Sequence, residues 1–278
     1  MRYDSILVHL DTTRASMRRL DLAARLAVAN ECRLIALFAG FVPDPAWYGV
    51  VQGAAQFVAE EVERRHRLRD EVRCRFEDAV RALPVQAEWR TVETEPVMMA
   101  LREAREAALI VAGQHDPGDI EGFVAHQFLE SLILETGRPV LVVPFTGDFP
   151  TVGTRVLVAW NGSREATRAL HDAIPLITGA QATILSAQTV PDEIPADATP
   201  ASHAARVLMR HGVTVNVENA VGGSDLATGE LLLSRAADFN ADLIVMGAYG
   251  HGRLRELVLG GVTRTLLASM TVPVLMSH

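Results

Sequence analysis

A chain whose segments recur in a fixed order must fold as two similar units, and this sequence recurs in that way. Ala107–Gly113 resembles Ala241–Gly247, and Arg138–Val143 resembles Val272–Met276, each pair at the same separation. The opening segments, Ser5–Asp11 and Arg155–Asn161, stand further apart, so the first copy carries extra chain near its start. Phe41–Gln56, with Pro43, Pro45, Gly49 and Gly53, is the place for it. An ordered set of matches signals duplication better than one match does. The 278 residues suit two domains of ordinary size.

Each copy reads as five short strands alternating with helices. The strands Ile6–Leu10 and Val156–Trp160 open the copies, and Leu34–Phe38 and Thr183–Ala187 follow. Third strands are expected at Val85–Val92 and Val213–Asn219, then helices at Pro96–Ala107 and Ala227–Phe239. A strand, a loop, a helix and a last strand finish each copy. Solidly aliphatic strands separated by helices imply a parallel sheet covered on both faces. The expected fold is therefore α/β: two tandem doubly wound domains, 1–146 and 154–278, each a five-stranded parallel sheet flanked by helices. The turn-rich stretch Thr146–Thr154 joins them.

The chain contains no lysine, so all 26 of its Lys and Arg residues are arginine. That excludes a phosphate loop ending in Gly-Lys-Ser/Thr, and it excludes Schiff-base chemistry. The net charge of -8 argues against nucleic acid as a partner. Apolar runs such as Leu243–Met246 fall well short of the ~20 residues that cross a bilayer, so no membrane is expected. Cys32 and Cys74 have no paired spacing, and Met1–Ser5 offers no apolar leader, which together suit a cytoplasmic setting.

The most informative segment runs from Gly247 to Thr263. It starts where the strand Leu243–Met246 ends and finishes where the helix Val262–Ala268 begins. In a doubly wound sheet, ligands sit at the carboxyl ends of strands. Glycines there turn main-chain N–H groups toward a phosphate and remove the Cβ atoms that would block it. Gly260 and Gly261 precede a helix whose first amides point at the same space. His251, Arg253 and Arg255 can add charge, and Thr263 a hydroxyl. The alternative is that these glycines only make turns and a close helix–sheet contact.

The spacing Gly247, Gly250, Gly260 resembles the ATP-binding signature of the universal stress protein family. The segment Val158–Ser163 and the ending Val272–Met276 are similar to that family too. The resemblance covers both copies and implies a tandem member with an adenine nucleotide α-hydrolase-like fold. It implies phosphate and ribose contacts from Gly247, Gly250, Gly260, Gly261, Val262 and Thr263. It places Ala159, Trp160 and Asn161 toward the adenine or ribose and Ala187 at the base pocket, with Met246, His251 and Arg253 completing the set. The cofactor implied is ATP, with Mg²⁺ as an optional companion. Members pair through the last strand, so the two copies are expected to form an intrachain pseudo-dimer, and a homodimer of the chain is left open. Two positions depart from the family: Gly261 stands where a Ser or Thr is usual, and Asn161 where an Asp is usual.

The first copy lacks the signature. Asp116 stands at the second glycine, and no glycine pair precedes the helix expected at Phe123–Leu134, so this half reads as structural. Asp11 survives from the entry motif, but such a residue is as often a helix cap. Glu63 and His66 lie on a helix, Glu60 to Glu77, with six arginines against six acids, which reads as a solvated face. Ser163 reads as the cap of the following helix, and His9 and His171 as packing or surface residues. No general base is nominated. The preferred reading is a nucleotide-binding regulatory protein; a slow ATPase and a ligand-free interaction module are the alternatives.

Overall fold

The computed structural model describes residues 2–39, 54–93, 96–116, 122–186, 199–219, 225–248 and 260–278. Its contacts group into two compact units, Tyr3–Ala112 and Gly113–His278, the latter with Met1–Arg2.

In the first unit, β1 (Ser5–Leu10) leads into α1 (Arg14–Asn30), β2 (Arg33–Ala39), α2 (Ala54–Val80), β3 (Ala87–Val92), α3 (Pro96–Ala104) and β4 (Leu109–Gly113). The sheet order is β3-β2-β1-β4 and every pairing is parallel. β1 and β2 are buried because they sit inside the sheet with helices over them, which is why their sequences run aliphatic. α1 begins at Thr13, whose side chain accepts from Ser16 N, and ends at Glu31 in the left-handed region, φ 54°. At the sheet edge, β3 is held by Trp89, stacked on Phe38 with centroids 6.0 Å apart. β3 starts later than its alternation suggests, because Pro84 and the turn before it precede the ladder with β2. The extra chain of the first copy lies between β2 and β3, where α2 is 27 residues long against 11 for its counterpart. Most of the expected insertion, 41–53, lies outside the described residues.

The second unit comprises α4 (Gly122–Glu135), β5 (Val140–Val143), β6 (Arg155–Trp160), α5 (Arg164–Ile177), β7 (Gln181–Ser186), α6 (Pro200–Arg210), β8 (Thr214–Asn219), α7 (Asp225–Asp238), β9 (Leu243–Gly247), α8 (Gly261–Ser269) and β10 (Val274–Ser277). Its strand order is β5-β10-β9-β6-β7-β8. The five strands of the second copy are parallel, as its alternation of strands and helices implies. β5, the last strand of the first copy, runs antiparallel to β10, with Leu141 opposite Leu275, Val142 opposite Val274 and Val140 opposite Met276. α5 buries Ala166, Ala169, Leu170, Ala173, Ile174 and Ile177, one helical stripe. Its cap is Ser163, whose Oγ accepts from Ala166 N at 3.1 Å.

The linker is tied down at its end by one carboxylate. Asp242, ahead of β9, accepts from the N–H groups of Gly153, Thr154 and Arg155 at 3.0, 2.9 and 2.9 Å. Hydrogen bonds to a charged acceptor contribute about 1.5–3 kcal/mol each, so the start of β6 is fixed relative to β9.

Candidate functional site

In the second unit the chain leaves β6 toward β7 on one side, while β9 and β10 lie on the other. The point where the winding reverses is therefore between β6 and β9, and a doubly wound sheet opens its ligand crevice outside the carboxyl ends of such a pair. Ala159, Trp160 and Asn161 end β6 there, and Met246 and Gly247 end β9.

Register separates these residues by face. Ala159 is the Cα partner of Met246 and of Leu185, so these three share one side of the sheet. Trp160, one residue on, points to the other side with Ser186, as Gly247 does with Ser277. Ala159 and Asn161 are half-buried, while Trp160 is only 7% exposed. Asn161 Oδ1 accepts from Ser163 N at 3.1 Å, which shapes the turn into α5. The structure thus brings Ala159 and Met246 together and sets Trp160 on the opposite face.

Two glycines of the signature have different physical causes. A Cβ on Gly247 would lie 2.4 Å from Ala166 N, at the first turn of α5, so packing alone requires glycine there. A Cβ on Gly260 would meet nothing within 4 Å among the described residues. Gly260 is the exposed N-cap of α8, with φ -56° and ψ 150°, a conformation any residue adopts. It supplies no side-chain cap. The first intrahelical bond is Arg264 N to Gly260 O, 3.0 Å. The N–H groups of Gly261, Val262 and Thr263 precede that bond and head the helix dipole. Gly261 and Val262 are half-buried; Thr263 is 2% exposed and faces the core. Ala187, Gly250, His251 and Arg253 lie outside the described residues.

α8 is seated at both ends. On α7, a Cβ at Gly229 would lie 2.7 Å from Thr265 Cβ, so this glycine lets the two helices touch. Thr265 Oγ1 donates to Gly261 O at 3.0 Å, bracing the first turn. At the far end, Gln114 Nε2 donates to Leu267 O at 2.8 Å.

The corresponding turn of the first unit carries a buried arginine paired with a carboxylate. Arg19 of α1, 3% exposed, donates from Nη2 to Asp11 Oδ2 and from Nε to His9 O, both at 2.7 Å. Asp11 also accepts from Thr13 N at 2.9 Å and from Thr13 Oγ1. Asp11 is thus an ion-pair partner behind the turn, and Thr13 is the cap. Burial alone raises the Asp11 carboxyl, but the Arg19 charge, His9 and these hydrogen bonds reverse that and hold it far below the usual carboxylate range. His9 is pushed down to about 4 by burial and then by Arg19, with Asp11 opposing. Setting β1 on β6 aligns His9, Asp11 and Arg19 with Ala159, Asn161 and Ala169. Arg19 was not singled out in the sequence; the signal was its alignment with Ala169, on the buried stripe of the second copy.

Other candidates resolve simply. Glu63 faces Arg67 at 4.0 Å, and His66 faces Glu93 at 3.8 Å, all substantially exposed. The Cys32 thiol is raised to about 11 by burial and by Asp4, while Cys74 is exposed. Among the described residues, no group of three or more His, Cys, Asp or Glu side chains is placed to hold a metal, and no helix is long and apolar enough to cross a membrane.

Two copies of this alternation of strands and helices, the second with its winding reversed between β6 and β9, define the class as a duplicated doubly wound α/β protein. The chain belongs to the universal stress protein family, whose model matches it twice, over residues 2–144 and 154–278. It is 31% identical over 149 residues to universal stress protein Slr1230 of Synechocystis, covering 53% of this chain and 49% of that one. The chain thus spans about half the length of that relative. It is 27% identical to the stress response protein NhaX of Bacillus subtilis, over 44% of this chain and 95% of that one. Among solved structures, a universal stress protein from Archaeoglobus fulgidus has a similar fold, with a TM-score of 0.71 at 21% identity, covering 98% of this chain and 95% of that one.

Proposed function

We propose that the second repeat binds ATP at the carboxyl ends of β6 and β9 and that the protein is a nucleotide-responsive regulator of a stress response. Gly260 carries this reading. Neither its backbone conformation nor packing among the described residues requires a glycine there, and a Ser or Asp would cap α8 better by some tenths of a kcal/mol. A bulky anion brought against the amides of Gly261 and Val262 does require it. Ala159 and Met246 would lie against the nucleotide, and Asn161 would supply a polar side chain in place of a charge. When bound, ATP would supply the polyphosphate that these amides hold.

With no lysine in the chain, phosphate is held mainly by neutral N–H groups, aided by arginine and, where present, Mg²⁺. Such groups bind a triphosphate but supply little that is selective for phosphoryl transfer, which needs charge on the γ-phosphate and an oriented water. ATP is therefore expected to bind in the micromolar range, roughly -8 kcal/mol, and to be hydrolysed slowly or not at all. The first repeat is structural in this reading, because it lacks the glycine signature and its Arg19 is committed to Asp11 and to His9 O behind the turn. The pairing of β5 with β10 supports an intrachain pseudo-dimer of domains 1–146 and 154–278. The cytoplasm is the proposed location.

Calorimetry and native mass spectrometry test the reading together. One ATP per chain is expected, lost in Gly260→Val while the circular dichroism spectrum stays unchanged. No bound ATP, or two per chain, overturns it; turnover of several ATP per second makes the protein an enzyme instead.

A further inference from the structure

Gln114 lies just past β4, where the first repeat has lost its glycine loop. Its main chain does what the equivalent residue of the second repeat does: Gln114 N donates to Val143 O, and Ala248 N to Ser277 O, both at 2.8 Å. Its side chain does more. Nε2 donates to Leu267 O at 2.8 Å, and Oε1 accepts from Phe145 N at 3.2 Å. The residue is 7% exposed, so both ends of a buried amide are satisfied at once. Leu267 is in the last turn of α8, where carbonyls lack intrahelical partners. Gln114 therefore caps α8 from a segment 153 positions away in the chain. Ala248 carries no donor, so it cannot make a similar side-chain tie.

We infer that Gln114 is a positioning residue for the ligand site: by fixing the C-terminal end of α8 it sets where the amides of Gly261 and Val262 stand. α8 has nine residues, a rod on the order of 13 Å long, and such a rod cannot shift at one end without moving the other. Gly229 lets it lie against α7 at Thr265, and Thr263, Leu266 and Leu267 are buried, so the cap adds the hydrogen-bonded tie at its C-terminal end. The degenerate loop of the first repeat thus supports the site of the second. The inference rests on the ATP reading for its effect on affinity, but not for its effect on α8.

Two variants and two readouts separate these. Gln114→Leu removes both hydrogen bonds at similar volume. Gln114→Glu keeps the acceptor for Phe145 N and replaces the donor with a carboxylate beside Leu267 O. Ile35→Val in β2 is a control that loosens the first unit without touching α8. Well below the unfolding temperature, Gln114→Leu and Gln114→Glu should each weaken ATP binding about tenfold, within the usual range of coupling between linked sites. Amide hydrogen exchange of Gly261–Arg264 should quicken in both, while β1 and β2 keep their protection. The control should match the wild type in ATP affinity and in α8 exchange. Lower melting temperatures with unchanged affinity and unchanged α8 exchange would reduce Gln114 to a core residue and end the proposal, as would a control that weakens ATP equally. If the wild type binds no ATP, the ATP reading falls, and exchange decides alone: faster exchange in α8 upholds the positioning role and wild-type exchange overturns it.

Discussion

The turn from β1 into α1 and the turn from β6 into α5 share a hydrogen-bonding plan. Thr13 and Ser163 cap the two helices, and Asp11 and Asn161 each accept from the N–H two residues later. They differ in what stands behind the turn. In the first, Arg19 reaches back from α1 to Asp11 and His9, and the space is full of charge satisfied by charge. In the second, the aligned positions are Ala169 and Ala159, and Ala159 and Asn161 are half-buried. One long side chain on the flanking helix therefore changes what stands behind the turn while the turn keeps its hydrogen-bonding plan.

The strongest way to break the comparison is to empty the first turn. Arg19→Ala leaves the Asp11 carboxylate and His9 O without their buried donor, and should cost about 3 kcal/mol, the low end for losing one partner of a buried pair, since Asp11 is one-third exposed. Adding Asp11→Asn should then cost much less than it does alone. Urea unfolding measures both, and additive costs would mean that the pair is not a unit.

A comparable effect should appear with pH. His9 stays neutral in the folded protein down to about 4, whereas an ordinary histidine takes its proton near 6.5. The unfolded chain thus binds the extra proton first, so stability is full above pH 6.5 and falls as pH drops from 6.5 to 4, by about 3 kcal/mol. Asp11, ionised in the fold, adds further loss below its ordinary value of 3.8. The aligned Ala159 contributes nothing, so His9→Ala should flatten the limb between 6.5 and 4 in pH-dependent denaturation. An unchanged slope would place the acid sensitivity elsewhere.

A smaller effect distinguishes the glycines. Gly247→Ala forces a Cβ against the backbone of α5 and should destabilise by about 1–3 kcal/mol. Gly260→Ser should move stability by less than about 0.5 kcal/mol. Equal costs, measured by thermal unfolding, would remove the argument that Gly260 is kept for a ligand.

The duplication, the winding and the Ser163 cap were legible in the sequence, because aliphatic runs, helical stripes and a Ser before a stripe each have a local cause, whereas the first copy's cap is Thr13 and not Asp11. Ser163 could be read as a cap from its neighbours alone. Arg19 could not, since an arginine on a charged helix reads as solvated until the two copies are aligned and Ala169 marks the position as buried. Gly247 and Gly260 look alike in a spacing pattern, yet one is explained by the approach of α5 and the other is not. Gln114 was invisible for a similar reason: its partner, Leu267, is distant in the chain and offers only a backbone oxygen. The division of the chain at Gly113 also lies beyond the sequence, because it depends on β5 pairing with β10.

That antiparallel ladder runs Val142, Leu141, Val140 against Val274, Leu275, Met276, so each strand meets its own repeat-equivalent in reverse. Between two identical chains such a register is the mark of a two-fold axis, and every substitution on one side is copied on the other. Written into a single chain, the same ladder carries no such obligation. Each side is inherited separately, and encounter no longer depends on concentration, because the linker holds the strands at an effective concentration on the order of millimolar. An arginine that would stand behind both turns of a symmetric pair stands behind one here, and the other keeps Ala169.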